Sequence, residues 1–158
     1  MEELRIQYQS LDSWKQLPDE EKELVEKAYG ASEKAYAPYS NFNVGACLLL
    51  EDGTTVLGNN QENVAFPSGT CAERTALFYA GANFPDKKIK TLVVVAKGDF
   101  VDIDRILSPC GGCRQVMLES EKRQETPIKV ILVSQNERTI VLNSVSDLLP
   151  FAFSNSKK

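Results

Sequence analysis

Hydrophobic and polar positions along the chain fall into stretches of two different periods. Leu4, Ile6 and Tyr8 alternate with polar residues, so residues 3–9 read as a short strand or an ordered arm. Pro18 followed by Asp19, Glu20 and Glu21 predicts a helix start, with proline in the first turn and acids at the positive end of the dipole. Leu24, Val25, Ala28, Tyr29, Ala35 and Tyr36 then recur at helical spacing, and Pro38 ends that helix. Residues 44–50 are apolar and strand-like, Asp52-Gly53 is a hairpin turn signal, and Thr55, Val56 and Leu57 begin the return strand. The polar stretch 59–69 carries Pro67 and Gly69 and reads as a loop. Helices are predicted over 70–82 and from near Cys110 to near Arg123. Residues 89–96 and 128–133 read as buried strands and 139–142 as a short edge strand. Ser144 caps a last turn through Leu149, stopped by Pro150. This order predicts an α/β fold: three α/β/α layers around a central mixed five-stranded sheet, with residues 1–17 as an N-terminal arm and 18–158 as one domain.

Composition narrows the chemistry. A chain of 158 residues suits one domain, which buries about two-thirds of the surface its unfolded chain exposes. Histidine is absent and cysteine occurs four times. A Ser-His-Asp triad, a Cys-His dyad and an imidazole metal ligand are therefore excluded. Proton transfer near neutral pH must come from a carboxylate, a lysine, a thiol or a metal-bound water. The formal charge of −4 disfavours a nucleic-acid partner, whose affinity rests on clustered Lys and Arg, and favours a small polar substrate. Apolar runs such as 47–50 fall far short of a membrane span, and Met1-Glu2-Glu3 lacks the basic region of a signal peptide. The expected location is cytoplasmic, where cysteines serve as metal ligands or core residues rather than in disulfides.

Three cysteines sit at the starts of predicted helices. Cys71 opens one, in Thr70-Cys71-Ala72-Glu73-Arg74; Cys110 and Cys113 open another, in Pro109-Cys110-Gly111-Gly112-Cys113-Arg114. Helix N-termini favour the thiolate form, and a Cys-x-x-Cys lets both sulfurs face one ion. Three thiolates suit Zn²⁺ and leave a tetrahedral position open, as a catalytic site requires. Alone, the Cys-x-x-Cys also fits a thiol redox pair or half of a structural zinc site. Cys47 could close a Cys₄ site, or be a small core residue in its apolar strand. Glu73, two residues after Cys71, can reach the metal-bound water without being a ligand. Cys-x-Glu followed by Pro-Cys-x-x-Cys is the zinc-deaminase signature, in which the glutamate is the general acid and base. Three thiolates and one Zn²⁺ sum to −1, so Arg74 and Arg114 are candidates for hydrogen bonds to sulfur.

The chain resembles the cytidine deaminases, in particular the small homotetrameric kind with a three-cysteine zinc site. The motifs carrying the resemblance run in order through residues 37–46, Asn60-Gln61-Glu62-Asn63, 70–74, 108–115 and 148–153. The resemblance implies one zinc ion per subunit on Cys71, Cys110 and Cys113, with Glu73 shuttling protons. It implies that Asn60 and Glu62 hydrogen-bond the ribose 3′-hydroxyl and that Phe42 lines the nucleoside pocket. The backbone around Ala72 faces the pyrimidine carbonyl edge. Phe153 reaches a neighbouring subunit's site, and Phe66 stands where the family often has an inter-subunit tyrosine, without its hydroxyl. A homotetramer with shared active sites follows, and the apolar Phe151 and Phe153 beside the polar tail 154–158 are consistent with an oligomer. Residues 67–70 differ from the Cys-Asn-Cys of many relatives. Residues 97–107 are longer than expected before the Pro-Cys motif and predict an extra loop beside the site.

The implied reaction is hydrolytic deamination of cytidine and 2′-deoxycytidine to the uridines with release of ammonia, in pyrimidine salvage. Two alternatives share parts of the pattern. One is a deaminase of another cytosine nucleoside, such as blasticidin S. The other is a non-catalytic structural zinc module. A polynucleotide substrate is disfavoured by the acidic charge.

Overall fold

Six strands and three helices build the protein in the computed structural model, which describes residues 1–154. The elements are β1 (Gln9–Leu11), α1 (Asp19–Ser32), β2 (Phe42–Leu50), β3 (Thr55–Asn59), α2 (Ala72–Asn83), β4 (Ile89–Gly98), α3 (Gly111–Gln124), β5 (Lys129–Val133) and β6 (Thr139–Leu142). Short 3₁₀ turns occur at Trp14–Gln16, Phe66–Ser68 and Val145–Leu148. Strand order is β1-β6-β5-β4-β2-β3. Only β4 and β5 pair in parallel, and α3 makes the crossover between them; every other pairing is antiparallel.

Side-chain alternation along the central strands produces the three layers. On β4, Leu92 and Val94 face α2 and α3, where they join Ala76, Leu77, Met117 and Leu118. Val93 and Val95 face the opposite layer, where Cys47, Ile131 and Val133 pack on Leu24, Val25 and Ala28 of α1. Burial of both faces explains the continuous apolar runs of these strands.

Two sequence expectations are corrected. The sheet has six strands, not five, because β1 adds to the edge through Gln9 opposite Val141 and Leu11 opposite Thr139. The arm is thus stitched to the domain: Leu17 is buried, and Trp14 packs against Tyr29 with ring centroids 6.2 Å apart. The first helix also ends at Ser32 rather than before Pro38. Its last turn tightens as Lys34 N–H donates to the Ala31 carbonyl and Ala35 N–H to that of Ser32. Tyr36 is then drawn into a bridge with Gln61, donating to the Asn60 carbonyl at 3.0 Å and accepting from Glu62 N–H at 2.8 Å.

A buried carboxylate that looks like a surface charge in the sequence ties the C-terminal turn to α3. Glu121 is 6% exposed. It accepts from the backbone N–H groups of Ile128 (2.9 Å), Val145 (2.8 Å) and Ser146 (3.2 Å), and from the hydroxyls of Ser144 and Ser146 at 2.7 Å each. Burial alone would raise its pKa. The donors from Ile128, Ser146, Ser144 and Val145 outweigh it and hold the carboxyl below its ordinary value. Glu121→Ala strands these donors and is expected to cost about 3 kcal/mol. Because the folded-state pKa is depressed, the stabilisation is complete above the unfolded carboxyl value of about 4.3 and fades as pH falls below it. Urea unfolding of wild type and variant should therefore differ most at neutral pH and converge in acid.

Candidate active site

The site forms where α2 and α3 begin. Cys71 is the N-cap residue of α2 and Cys110 that of α3, so both sulfurs sit at positive helix ends. Cys113 lies in the first turn of α3 and is buried. The start of α2 is pressed against β3 through Gly58, where a Cβ would lie 2.4 Å from the Ala72 carbonyl oxygen. Any side chain there would push away the turn that carries Cys71 and Glu73.

The sulfurs of Cys71, Cys110 and Cys113 all lie within 4.8 Å of one another, and those of Cys110 and Cys113 are 3.4 Å apart. Tetrahedral zinc with Zn–S bonds of about 2.3 Å requires sulfur pairs about 3.8 Å apart, so the cluster fits such an ion. Hydrogen bonding to Cys113 and the guanidinium of Arg74 bring the Cys71 thiol down to about 5, and the Cys113 thiol is pushed up by the same bond and by burial. Cys47 is fully buried in the α1-side core, across the sheet from this cluster. Burial raises its thiol to about 11, against a smaller opposing effect of Lys27. The fourth cysteine is a core residue, and it does not complete a Cys₄ site.

Glu73 is 4% exposed and lines the cavity with the three cysteines. Burial, reinforced by the Cys71 thiolate and opposed by its own backbone N–H, brings its carboxyl to about 6. A carboxyl near that value can both accept and donate a proton at neutral pH. Arg74 Nη2 is 3.4 Å from Cys71 Sγ. Arg114, by contrast, does not reach sulfur. It donates to the Pro109 carbonyl (2.9 Å), the Leu148 carbonyl (2.9 Å) and the Ser108 hydroxyl (2.6 Å), so it fastens the Pro-Cys loop to the C-terminal turn. The expected sulfur contact of Arg114 is corrected accordingly. Its position directly after Cys113 turns the side chain back along the loop that precedes α3.

The cavity has a volume of about 700 Å³, in the range of small-molecule sites. Phe42, Asn60, Glu62 and Phe66 line it. The Asn60 amide accepts from Val44 N–H and donates to the Phe42 carbonyl, both at 2.8 Å, so it extends the edge of β2. Its second N–H and remaining lone pair stay available. Glu62 accepts from the N–H groups of Tyr39 (2.9 Å) and Ser40 (3.3 Å) and from the Ser40 hydroxyl, which together hold it ionised below the ordinary carboxylate value. Ala72, the first residue of α2, is wholly buried and does not line the cavity with its side chain. Phe153 is 87% exposed and does not line the cavity, and its carbonyl accepts from Gln115 at 2.9 Å. The last four residues of the polar tail, 155–158, lie outside the described residues. Tyr39, Ser40, Phe100, Val101 and Ile106 also line the cavity. The first two fall in the 37–46 motif and the last three in the 97–107 loop expected beside the site, but sequence alone assigns them no individual role.

Comparison with known proteins agrees with this geometry. Residues 18–141 match the family model described as the cytidine and deoxycytidylate deaminase zinc-binding region. A cytidine deaminase from Halalkalibacterium halodurans is 42% identical over 130 residues, covering 82% of this chain and 91% of that protein. One from Sporosarcina psychrophila is 43% identical over 131 residues, covering 83% and 89%. The crystal structure of cytidine deaminase from Burkholderia pseudomallei superposes with a TM-score of 0.68 at 39% identity, covering 84% of this chain and 98% of that one.

Proposed function

The chain belongs to the cytidine and deoxycytidylate deaminase family, and from that membership we propose how its own residues divide the work of hydrolysing the 4-amino group of cytidine and 2′-deoxycytidine. The observation that carries the assignment is the placement of the three-sulfur cluster and the buried Glu73 in the same cavity as Asn60 and Glu62.

Cys71, Cys110 and Cys113 would hold one Zn²⁺ per subunit. When bound, zinc acts as a Lewis acid that lowers the pKa of water to about 7. Glu73 takes the proton from the attacking water and delivers it to N3 of the pyrimidine, which makes C4 electrophilic. It then takes the second proton, from the new hydroxyl on C4, and carries it to the 4-amino group; the C4–N bond breaks as the C4 carbonyl forms, so water and cytidine become uridine and ammonia. Asn60 and Glu62 bind the ribose 3′-hydroxyl, one donating and one accepting. Phe42 packs on the nucleoside, and backbone next to Ala72 faces the carbonyl edge of the base. Arg74 offsets the charge of the thiolates through Cys71.

Residues 18–158 act as the catalytic unit, in a homotetramer with shared sites. Phe153 (87% exposed) is supplied to a neighbouring subunit, and Phe66 (76% exposed), which lines the cavity of its own chain, meets a neighbour at the rim, which gives both rings the burial that a single chain denies them. No helix among the described residues is long and apolar enough to cross a membrane, and the proposed location is the cytoplasm. The test is loss of ultraviolet absorbance over a panel of cytidine, 2′-deoxycytidine, cytosine and blasticidin S. The two nucleosides should be turned over far faster than the others. Turnover of blasticidin S with cytidine inert would overturn the assignment.

A further inference from the structure

Four residues of the loop from Asp99 to Leu107, namely Phe100, Val101, Ile106 and Leu107, line the cavity, and the loop is held there by residues outside the site. At its start, Gly98 adopts φ +140, and a Cβ there would lie 2.0 Å from the Asn41 carbonyl oxygen. Only glycine allows β4 to leave the sheet so close to β2. The side chain of Gln135, beyond the end of β5, then clamps the turn from both sides. Its Oε1 accepts from Gly98 N–H at 2.8 Å and its Nε2 donates to the Val101 carbonyl at 2.9 Å. Asn41 Nδ2 adds a bond to Asp99 at 3.2 Å. At the far end, Leu107 N–H donates to the hydroxyl of the buried Ser134 at 2.9 Å.

Between these clamps the loop presents Phe100. Its ring lines the cavity beside Phe42, with centroids 6.0 Å apart and planes tilted by 47°. Yet the ring is 70% exposed. Three polar side chains fix a backbone whose product is a bare aromatic at the entrance of the substrate cavity. A large apolar ring held this way gains its burial when a flat ligand seats against it.

We propose that Phe100 is a substrate-binding, specificity-determining residue of this protein, contributed by the same subunit that holds the metal ligands, and that Gln135 is its positioning residue. The ring packs on the nucleoside beside Phe42. Phe100 contacts substrate before and during the reaction alike, so its contribution is uniform binding: it sets KM and leaves kcat unchanged. The inference rests on the deaminase reading above.

Steady-state kinetics with cytidine, and inhibition by uridine, test it in wild type, Phe100→Ala, Phe100→Leu and Gln135→Glu. Loss of an aromatic that stacks on a base is expected to raise KM by about tenfold in Phe100→Ala, with the uridine inhibition constant rising in parallel and kcat held within about twofold. Leucine keeps apolar bulk without the flat face and should give an intermediate rise. The carboxylate introduced by Gln135→Glu can still accept from Gly98 but cannot donate to Val101, so KM should rise while bound zinc and the unfolding midpoint stay at wild-type values. An unchanged KM in Phe100→Ala overturns the proposal, as does a fall in kcat at constant KM. A change in assembly mass on sedimentation also overturns it, because the ring would then serve an interface between copies. Wild-type protein inert towards cytidine would instead overturn the functional reading itself.

Discussion

Replacing Glu73 with alanine is expected to lower kcat for cytidine on the order of 10³-fold or more, at the upper end of what a positioned general acid and base contributes. Bound zinc should remain at one ion per subunit. The size of the effect follows from the inventory of proton carriers. The chain has no histidine, and among the cavity-lining side chains the other carboxylate, Glu62, is committed to Tyr39 and Ser40 and held ionised. Glu73 alone is buried next to the sulfur cluster with a carboxyl at about 6. Glu73→Gln keeps the shape and loses the proton, so it should fall as far as the alanine variant. Absorbance kinetics measure the first quantity and atomic emission the second. A glutamine variant with substantial turnover would remove Glu73 from the chemistry.

Cys113→Ala produces the complementary dissociation. Activity should disappear together with the metal, and added zinc should not restore it. Cys113 is the most buried of the three sulfurs, and two thiolates leave an ion without the closed side of its tetrahedron. The methyl side chain fits the buried site, and the partners that lose the sulfur, Cys71, Cys110 and Glu73, all face the cavity, so the fold is expected to survive with a modest loss from packing. Emission spectrometry after dialysis against a mild chelator distinguishes the two variants: zinc stays in the Glu73 variant and is lost from the Cys113 variant. Retention of stoichiometric zinc by Cys113→Ala would show that the ion does not depend on this cysteine.

Much of this arrangement was legible in the sequence because local rules and the fold agree. Proline and acids mark the start of α1 at Asp19, Asp52-Gly53 closes the β2–β3 hairpin, and Ser144 caps the 3₁₀ turn that begins at Val145. The cysteine spacing located the sulfur cluster because helix starts fix which way the side chains point. The misses have a common origin in contacts between residues far apart in sequence. Tyr36 left the helical pattern for a bridge to Gln61, and β1 found its partner 130 residues away, as Ser10 opposite Ile140 shows. Glu121 and Gln135 are ordinary polar residues in sequence. Their roles appear only when folding brings N–H donors and carbonyls to them. Arg114 had neutral oxygens of the preceding loop and of the C-terminal turn within reach, and they took the guanidinium that was a candidate for sulfur.

The pairing of β1 with β6 also orders events during biosynthesis. Residues 9–11 leave the ribosome well ahead of their hydrogen-bond partners, residues 139–141. The arm must therefore wait, unpaired, until those partners have emerged, and closing so long a loop is slow relative to local structure. Once β6 has formed, and until the arm docks, it is an open edge that could recruit a strand from another nascent chain. Docking of the arm covers that edge last and opens first, so amide hydrogens of β1 should exchange well before those of β4 and β5 in the native protein.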